Sequence, residues 1–234
     1  DSVVKVVAII PARGGSKRIK NKNIKIFFGK PMIAWTIIAA LKSKIFNRVV
    51  VSTDDIKIAQ IAKKYGAEVP FLRKKFNDDF SPISKATISA LRNITKYWNE
   101  EYDYVVQLMA NCPLRDEKDI KRSFNKFKNK KRKFQISCFK FGWMNPWWAF
   151  KLDKKKKGEA LFPKQLKKRS QDLPDLYCPT GAIWIAKTRD LIRNKTFYGK
   201  GYCFEEINWI NAIDIDDHQD LEFAKISKKF RVKI

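Results

Sequence analysis

The sequence predicts an α/β fold with a largely parallel sheet. Short β-branched runs alternate with helical patterns of roughly 10–15 residues, the signature of βαβ units. Those runs are near-continuously apolar, as strands covered on both faces are, instead of alternating. The 234 residues, 44% of them apolar, suffice to bury a real core, so we expect one domain over 1–234 with an appendage.

The first run, VVKVVAII over 3–10, predicts a buried strand. Pro31 then opens a helix, since its missing N–H would be unpaired in a first turn anyway. Ile33, Ile37 and Leu41 make the apolar stripe of that helix. RVVVS over 48–52 is a second buried strand. The helix predicted over 54–65 is acidic at its start and lysine-rich at its end, in agreement with its dipole, and Gly66 stops it. Residues 67–70 continue as a short extended piece. The alternation repeats as helix 84–98, strand 104–108, helix 117–128 and strand 135–139. From Phe141 the texture changes: FGWMNPWWAF holds three tryptophans and two phenylalanines, and a lysine run and the turn-rich RSQDLPDLYCPTG follow. This predicts an insertion over 141–180, closed where 181–186 returns to strand.

The formal charge of +26 is a weak guide to function. A basic surface attracts nucleic acid, anionic membranes or phosphorylated small molecules. Yet 38 of the 50 cations are lysine, spread along the chain, whereas specific phosphate and base readout favours the forked guanidinium. We read the excess mainly as compositional bias on a solvated surface, with runs such as 126–133 and 154–157 at helix ends and loops. No run approaches the ~18 apolar residues of a membrane span. The first strand is too short, and too soon followed by charge, for a secretory core. Four well-separated cysteines without CxxC spacing suggest reduced thiols in a cytoplasmic protein.

In parallel sheets ligands bind beyond the carboxyl ends of the strands. Attention therefore falls on 11–23, 52–55, 109–115 and the segment after Ala212. In PARGGSKRIKNKNIK, six cations lie between Arg13 and Lys25, around Gly14 and Gly15. Two glycines let backbone N–H groups approach an anion as a nest, and Arg13, Lys17, Lys20 and Lys22 could neutralise its charge. The alternative is a glycine turn among solvated lysines; neither the P-loop nor the GxGxxG pattern is present. In AIDIDDHQDLEFAK, an extended 213–216 puts Asp214 and Asp216 on one side and two isoleucines on the other. Such a pair suits Mg²⁺ held against a polyphosphate, or else forms the acidic face of an edge strand with Asp217 capping the next helix. Taken with the cationic loop, metal-assisted nucleotide chemistry is the better account. The STDD at 52–55 reads as a helix cap at Asp54 or Asp55, and His218, the only histidine, as a surface or cap residue.

IPARGGSKRIKNKNIK, VSTDD, NCPLR, RSQDLP…PTGAIWI and IDIDDHQDLEFA, in this order over essentially the whole chain, resemble the acylneuraminate cytidylyltransferases (CMP-sialic acid synthetases). The resemblance implies a doubly wound, Rossmann-like nucleotidyltransferase domain whose insertion serves dimerisation and the sugar site of a homodimer. It implies transfer of CMP from CTP to a nine-carbon 2-keto sugar acid with Mg²⁺ (or Mn²⁺), and neither nucleic-acid nor membrane partners. Arg13, Ser16 and Lys17, with Gly14 and Gly15, match the triphosphate loop; Lys22 and Asn23 match a nucleotide-contacting pair; Arg73 matches an arginine near the cytidine. Arg13, Lys17, Asp214 and Asp216 are then the catalytic set, Asp214 and Asp216 the metal pair, and Phe197 and Tyr198 aromatics near the sugar. Gln171, in RSQDLP, is a further sugar-site candidate.

The chain also departs from the family. Gln-Pro-Thr-Ser-Pro-Leu-Arg is common where this chain has MANCPLR, so Met109 and Asn111 replace a glutamine and a threonine facing the sugar. Thr180 replaces a frequent asparagine, Ser170 a frequent arginine, and Trp147 and Trp148 fall near a basic sugar contact. A less polar, more aromatic pocket suits a deoxygenated, N-acylated acid of the legionaminic or pseudaminic type better than sialic acid. The alternatives are a cytidylyltransferase for the eight-carbon acid of lipopolysaccharide or another sugar nucleotidyltransferase, against which RGGSKR argues. A basic nucleic-acid-binding protein would explain charge and aromatics, but the acidic IDIDD would repel a phosphate backbone.

Overall fold

The computed structural model describes residues 3–74 and 82–231. In chain order it comprises β1 (Val6–Pro11), the small hairpin β2 (Ile26–Phe27) and β3 (Lys30–Pro31), α1 (Met32–Ser43), β4 (Arg48–Ser52), α2 (Ile56–Lys64) and α3 (Ile83–Trp98). β5 (Tyr104–Gln107), α4 (Glu117–Asn129), β6 (Phe134–Lys140), β7 (Phe150–Leu152), β8 (Gly158–Ala160), β9 (Tyr177–Lys187), α5 (Thr188–Asn194), β10 (Cys203–Glu206) and α6 (His218–Arg231) follow. The main sheet has the order β10-β6-β9-β5-β1-β4. β1 pairs in parallel with β4 and β5, and β6 with β10; β9 alone runs antiparallel, between β5 and β6.

β1 shows why the sheet is covered twice. Val6, Ala8 and Ile10 enter a core with Ile33 and Ile37 of α1, Ile58 and Ala62 of α2, and Ile120, Phe124 and Phe127 of α4. Val7 and Ile9 point the other way, against Ile88, Leu91 and Ile94 of α3 and Leu191 of α5. Each valine, isoleucine, leucine or phenylalanine among them contributes roughly 1.5–3 kcal/mol through burial. A strand wanted by two cores has no polar face, hence the unbroken apolar run. Among the described residues, no helix is long and apolar enough to cross a membrane.

Three expectations need correction. Leu41 is 43% exposed: eight residues from Ile33, it has drifted off the buried stripe, which closes instead on Ala40. Residues 213–216 form no strand, although their in–out alternation holds, because Ile213 and Ile215 are anchored in a separate core and not in the sheet. β10 and α5 escaped notice because CFEE and TRDLIRN are too short and too polar to show a period. In that separate core, Ile213 and Ile215 meet Ile19 of the loop after β1, Phe27, Met32, Leu114 and Leu221 of α6. The acidic segment and the cationic loop are thereby packed side by side.

Within 141–180, β7 and β8 pair only with each other, and the Lys154–Lys157 run forms their turn. Asn145 caps the turn at Pro146–Trp148, and Trp147 packs edge-on to Phe162 at 5.0 Å while its Nε1 donates to Pro174 O at 2.9 Å. The rest of the aromatic surface is turned outward: Trp143 is 87% exposed, with Met144, Phe150, Leu152, Leu161 and Leu166 also open.

Candidate active site

A cleft of about 220 Å³ opens beyond the carboxyl ends of β1 and β5. This is where the chain order in the sheet reverses, β4 lying on one side of β1 and β5 on the other, and such switch points are where open α/β sheets hold ligands. The cleft is lined by Arg13, Ser16, Arg18, Lys22, Asn23, Arg73, Met109, Asn111 and Asp216. Larger hollows exist. One of about 790 Å³ lies around the start of β5, the end of the strand opposite the cleft, and one of about 610 Å³ shares Arg73 with it. Size does not single out the site; strand direction and convergent charge do.

The loop after β1 is held by its own atoms and by β4. Ala12 N–H donates to Ser52 O at 2.9 Å, extending the β1–β4 ladder by one residue. Arg13 Nη1 donates to Gly15 O at 2.6 Å, and the buried Asn23 donates through Nδ2 to Arg13 O at 3.1 Å. Gly14 donates its N–H to Asp54 Oδ1 at 2.8 Å. A Cβ on Gly14 would lie 2.6 Å from Asp55 Oδ2, so glycine is required here by a neighbouring carboxylate. Asp55 is the α2 cap, accepting from the N–H groups of Lys57 and Ile58.

The two aspartates differ. Asp216 faces the cleft, 3.7 Å from Lys22 Nζ, and accepts from Asn111 Nδ2 at 3.1 Å. Burial pulls the Lys22 pKa below its ordinary value, partly offset by Asp216. Asp214 lies deeper: Cys112 Sγ–H donates to its Oδ1 at 2.7 Å and Thr180 Oγ1 at 3.3 Å. Burial pushes its carboxyl pKa up, the Asp216 charge adding to this and the hydrogen bonds from Cys112, Thr180 and the Gly181 backbone opposing it. Met109 crosses over Gly181, whose missing side chain leaves room for it: a Cβ there would be 2.8 Å from Met109 Cγ and 3.8 Å from Asp214 Oδ1. Asp217 and Asp220 cap α6 reciprocally, as each side chain accepts from the other's backbone N–H. His218 is exposed in the first turn of α6.

Other sequence candidates lie elsewhere. Gly14, Gly15, Lys17 and Asp214 flank the cleft without lining it. Phe197 is fully buried under Trp184 and offers no surface, so of that pair only Tyr198 is open, in a cluster with Tyr202 and Phe204. Trp148 and Gln171 sit in the insertion, and within one chain neither lines the cleft. Sequence alone does not assign Arg18 to the cleft, Asp54 to Gly14 or Cys112 to Asp214. For Arg18 a signal exists: its neighbour Ile19, apolar in a cationic run, shows that this stretch turns back onto the protein.

The family profile described as Cytidylyltransferase matches residues 7–231. The chain belongs to the cytidylyltransferase family. It is 39% identical over 228 residues to a pseudaminic acid cytidylyltransferase of Campylobacter jejuni, covering 97% of each chain. A CMP-N,N'-diacetyllegionaminic acid synthase of Legionella pneumophila is 34% identical, with 91% of each chain covered. An N-acylneuraminate cytidylyltransferase of Escherichia coli is 30% identical over 98% of this chain and 54% of its own length. The fold of this cytidylyltransferase is also that of a CMP:2-keto-3-deoxy-manno-octonic acid synthetase solved with CTP, at a TM-score of 0.69 and 16% identity over 98% of this chain and all of that one.

Proposed function

We propose that this cytidylyltransferase joins CMP from CTP to a nonulosonic acid of the pseudaminic or legionaminic type, releasing pyrophosphate, in the cytoplasm. The observation that carries the reading is the cleft at the β1–β5 switch point, where Arg13, Arg18, Lys22 and Arg73 converge opposite Asp216. Four cations around one small cleft suit a triphosphate, whose charge they would neutralise. The sugar's anomeric hydroxyl attacks the α-phosphorus in line, the bond to the bridging oxygen breaks, and pyrophosphate leaves with its electron pair. The protein's task is positioning and charge neutralisation, so no side-chain nucleophile is required. Met109 and Asn111 in the cleft lining support an acceptor with fewer hydroxyls than sialic acid.

The donor set also fits a divalent ion. Among the described residues no three His, Cys, Asp or Glu side chains converge, but Mg²⁺ prefers one or two carboxylates and completes its shell with phosphate oxygens and water. Asp214 and Asp216 would hold Mg²⁺ (or Mn²⁺), which when bound polarises the α-phosphate and can lower the pKa of the attacking hydroxyl. Pyrophosphate release with CTP and Mg²⁺ across pseudaminic, legionaminic and sialic acids tests the assignment. Turnover is expected with the first two above the third; silence across all three and with the eight-carbon acid would refute it.

The many large apolar side chains exposed within 141–180 support a homodimer built through the insertion, since such surface is rarely left to solvent. Sedimentation is expected to give twice the 27.4 kDa chain mass. Replacing Trp143 and Met144 by serine should shift the distribution toward monomer; a parent protein that sediments as a monomer at micromolar concentration counts against the dimer.

A further inference from the structure

VSTDD ends β4 with two carboxylates, but one helix start needs only one cap. Asp55 takes that role entirely: its Oδ1 accepts from Lys57 N–H at 2.7 Å and Ile58 N–H at 3.3 Å, and its own N–H is held by Thr53 Oγ1 at 3.1 Å. Asp54 is left over, and it turns away from the helix toward the loop after β1, where its Oδ1 accepts the Gly14 N–H. From that position it also faces the half-buried Arg73, whose guanidinium feels Asp54 as an attractive charge and Arg13 as a repulsive one. Arg73 is tied to the same strand end through its backbone, N–H to Thr53 O at 2.7 Å.

We propose that Asp54 is a positioning residue for nucleotide binding, fixing the Arg13–Gly14–Gly15 turn against β4 through the Gly14 N–H. Three facts converge on it. The turn is pressed against the strand end closely enough that Gly14 has no room for a Cβ. The hydrogen bond spans 40 residues, so it ties two segments that local sequence does not hold together. The cations at the two segments so tied, Arg13 next to Gly14 and Arg73 bonded to Thr53 O, both line the cleft. Gly14 N–H is therefore occupied by the protein itself, and the glycine serves a close approach of backbone to carboxylate. The phosphates would be met by the side chains that this tie aims. The proposal rests on the reading of the cleft as a CTP site.

The test compares Asp54→Ala and Asp54→Asn with the parent by calorimetric binding of CTP and of CMP, and by deuterium exchange at the Gly14 amide without nucleotide. Asparagine keeps a carbonyl oxygen for the Gly14 N–H, whereas alanine removes the acceptor. Loss of a hydrogen bond to a charged group corresponds to a change of roughly 10- to 100-fold. Asp54→Ala is expected to weaken CTP by that factor, to weaken CMP less, and to speed exchange at Gly14. Asp54→Asn should restore CTP affinity to within about threefold of the parent, on the same hydrogen-bond reasoning. The α2 cap at Asp55 is untouched, so both variants should still fold, Asp54→Ala melting a few degrees below the parent through the lost Gly14 hydrogen bond. CTP binding by the parent with an equal dissociation constant in Asp54→Ala overturns the proposal alone. Equal losses in the alanine and asparagine variants overturn it too, by assigning the effect to charge. A parent that binds no CTP overturns the reading of the cleft and this proposal with it.

Discussion

Asp214→Asn is expected to slow turnover by about two to three orders of magnitude, the range seen when one charge-stabilising group is lost. The same change should raise the melting temperature of the nucleotide-free protein at neutral pH. Both effects come from one carboxylate held between Cys112 and Thr180 with Asp216 nearby. Burial lifts its folded pKa above the unfolded value of about 3.9. Above that unfolded value, the unfolded chain gives up its proton more readily than the folded one, so stability falls as pH rises until the folded pKa is passed. Asparagine carries no such penalty. The variant's advantage should be absent below about pH 4 and grow through the acid range to a plateau. For a chain of this size each kcal/mol is worth roughly 2–4 °C. Asp216→Ala should lose turnover by a similar factor but gain little stability, because its carboxylate is more open and sits beside Lys22. Near-normal turnover of either variant in saturating Mg²⁺ would remove these residues from the metal site. An Asp214→Asn protein that melts below the parent at every pH would show that the hydrogen bonds from Cys112, Thr180 and Gly181 outweigh burial.

Arg115→Leu is expected to cost about 3–5 kcal/mol of folding stability, among the largest effects of any single substitution here. Arg115 is 1% exposed and its guanidinium donates to Ala182 O, Thr36 Oγ1, Cys112 O and Met109 O at 2.8–3.0 Å. These bonds define the turn after β5 that carries Met109, Asn111 and Cys112, and they join it to β9 and α1. Leucine fills part of the space but removes the donors to Ala182 O and Thr36 Oγ1, while Met109 O and Cys112 O keep only the backbone N–H groups of Cys112 and Arg115 at 3.3 Å; a buried acceptor left unpaired costs roughly 1–3 kcal/mol. Lysine should rescue little, because a single ammonium cannot reproduce a planar fork reaching several acceptors. Denaturant unfolding of the Leu and Lys variants measures both. A loss below about 1 kcal/mol in Arg115→Leu would place the turn's stability elsewhere.

Arg115 also shows the limit of what motif spacing reveals. In NCPLR it reads as one more cation at the strand rim, and only the fold turns it inward. The sequence leaves the α2 cap open between Asp54 and Asp55, and the structure gives it to Asp55, because a charged side chain at a loop has several places to go and its direction is set by residues far away in sequence. The acidic segment is the mirror case. Its alternation is legible, but the edge strand of the alternative reading does not form, because Ile213 and Ile215 find partners in Ile19 and Leu221.

The amino-acid order by itself determined the buried strands, most of the helices, the rim on which ligands are held, and the carboxylate and cation motifs that belong there. These follow from local rules: an unbroken apolar run needs cover on two faces, a 3.6-residue period needs one, and parallel strands place their loops at one end. Only the tertiary structure decided which side chains share the cleft. It buried Phe197, aimed Asp54 at Gly14, reversed β9 between β5 and β6, and set Asp214 deep and Asp216 open. Those choices depend on long-range packing and on where a buried polar group can find its partner, and no short stretch of sequence contains both halves of such a pair.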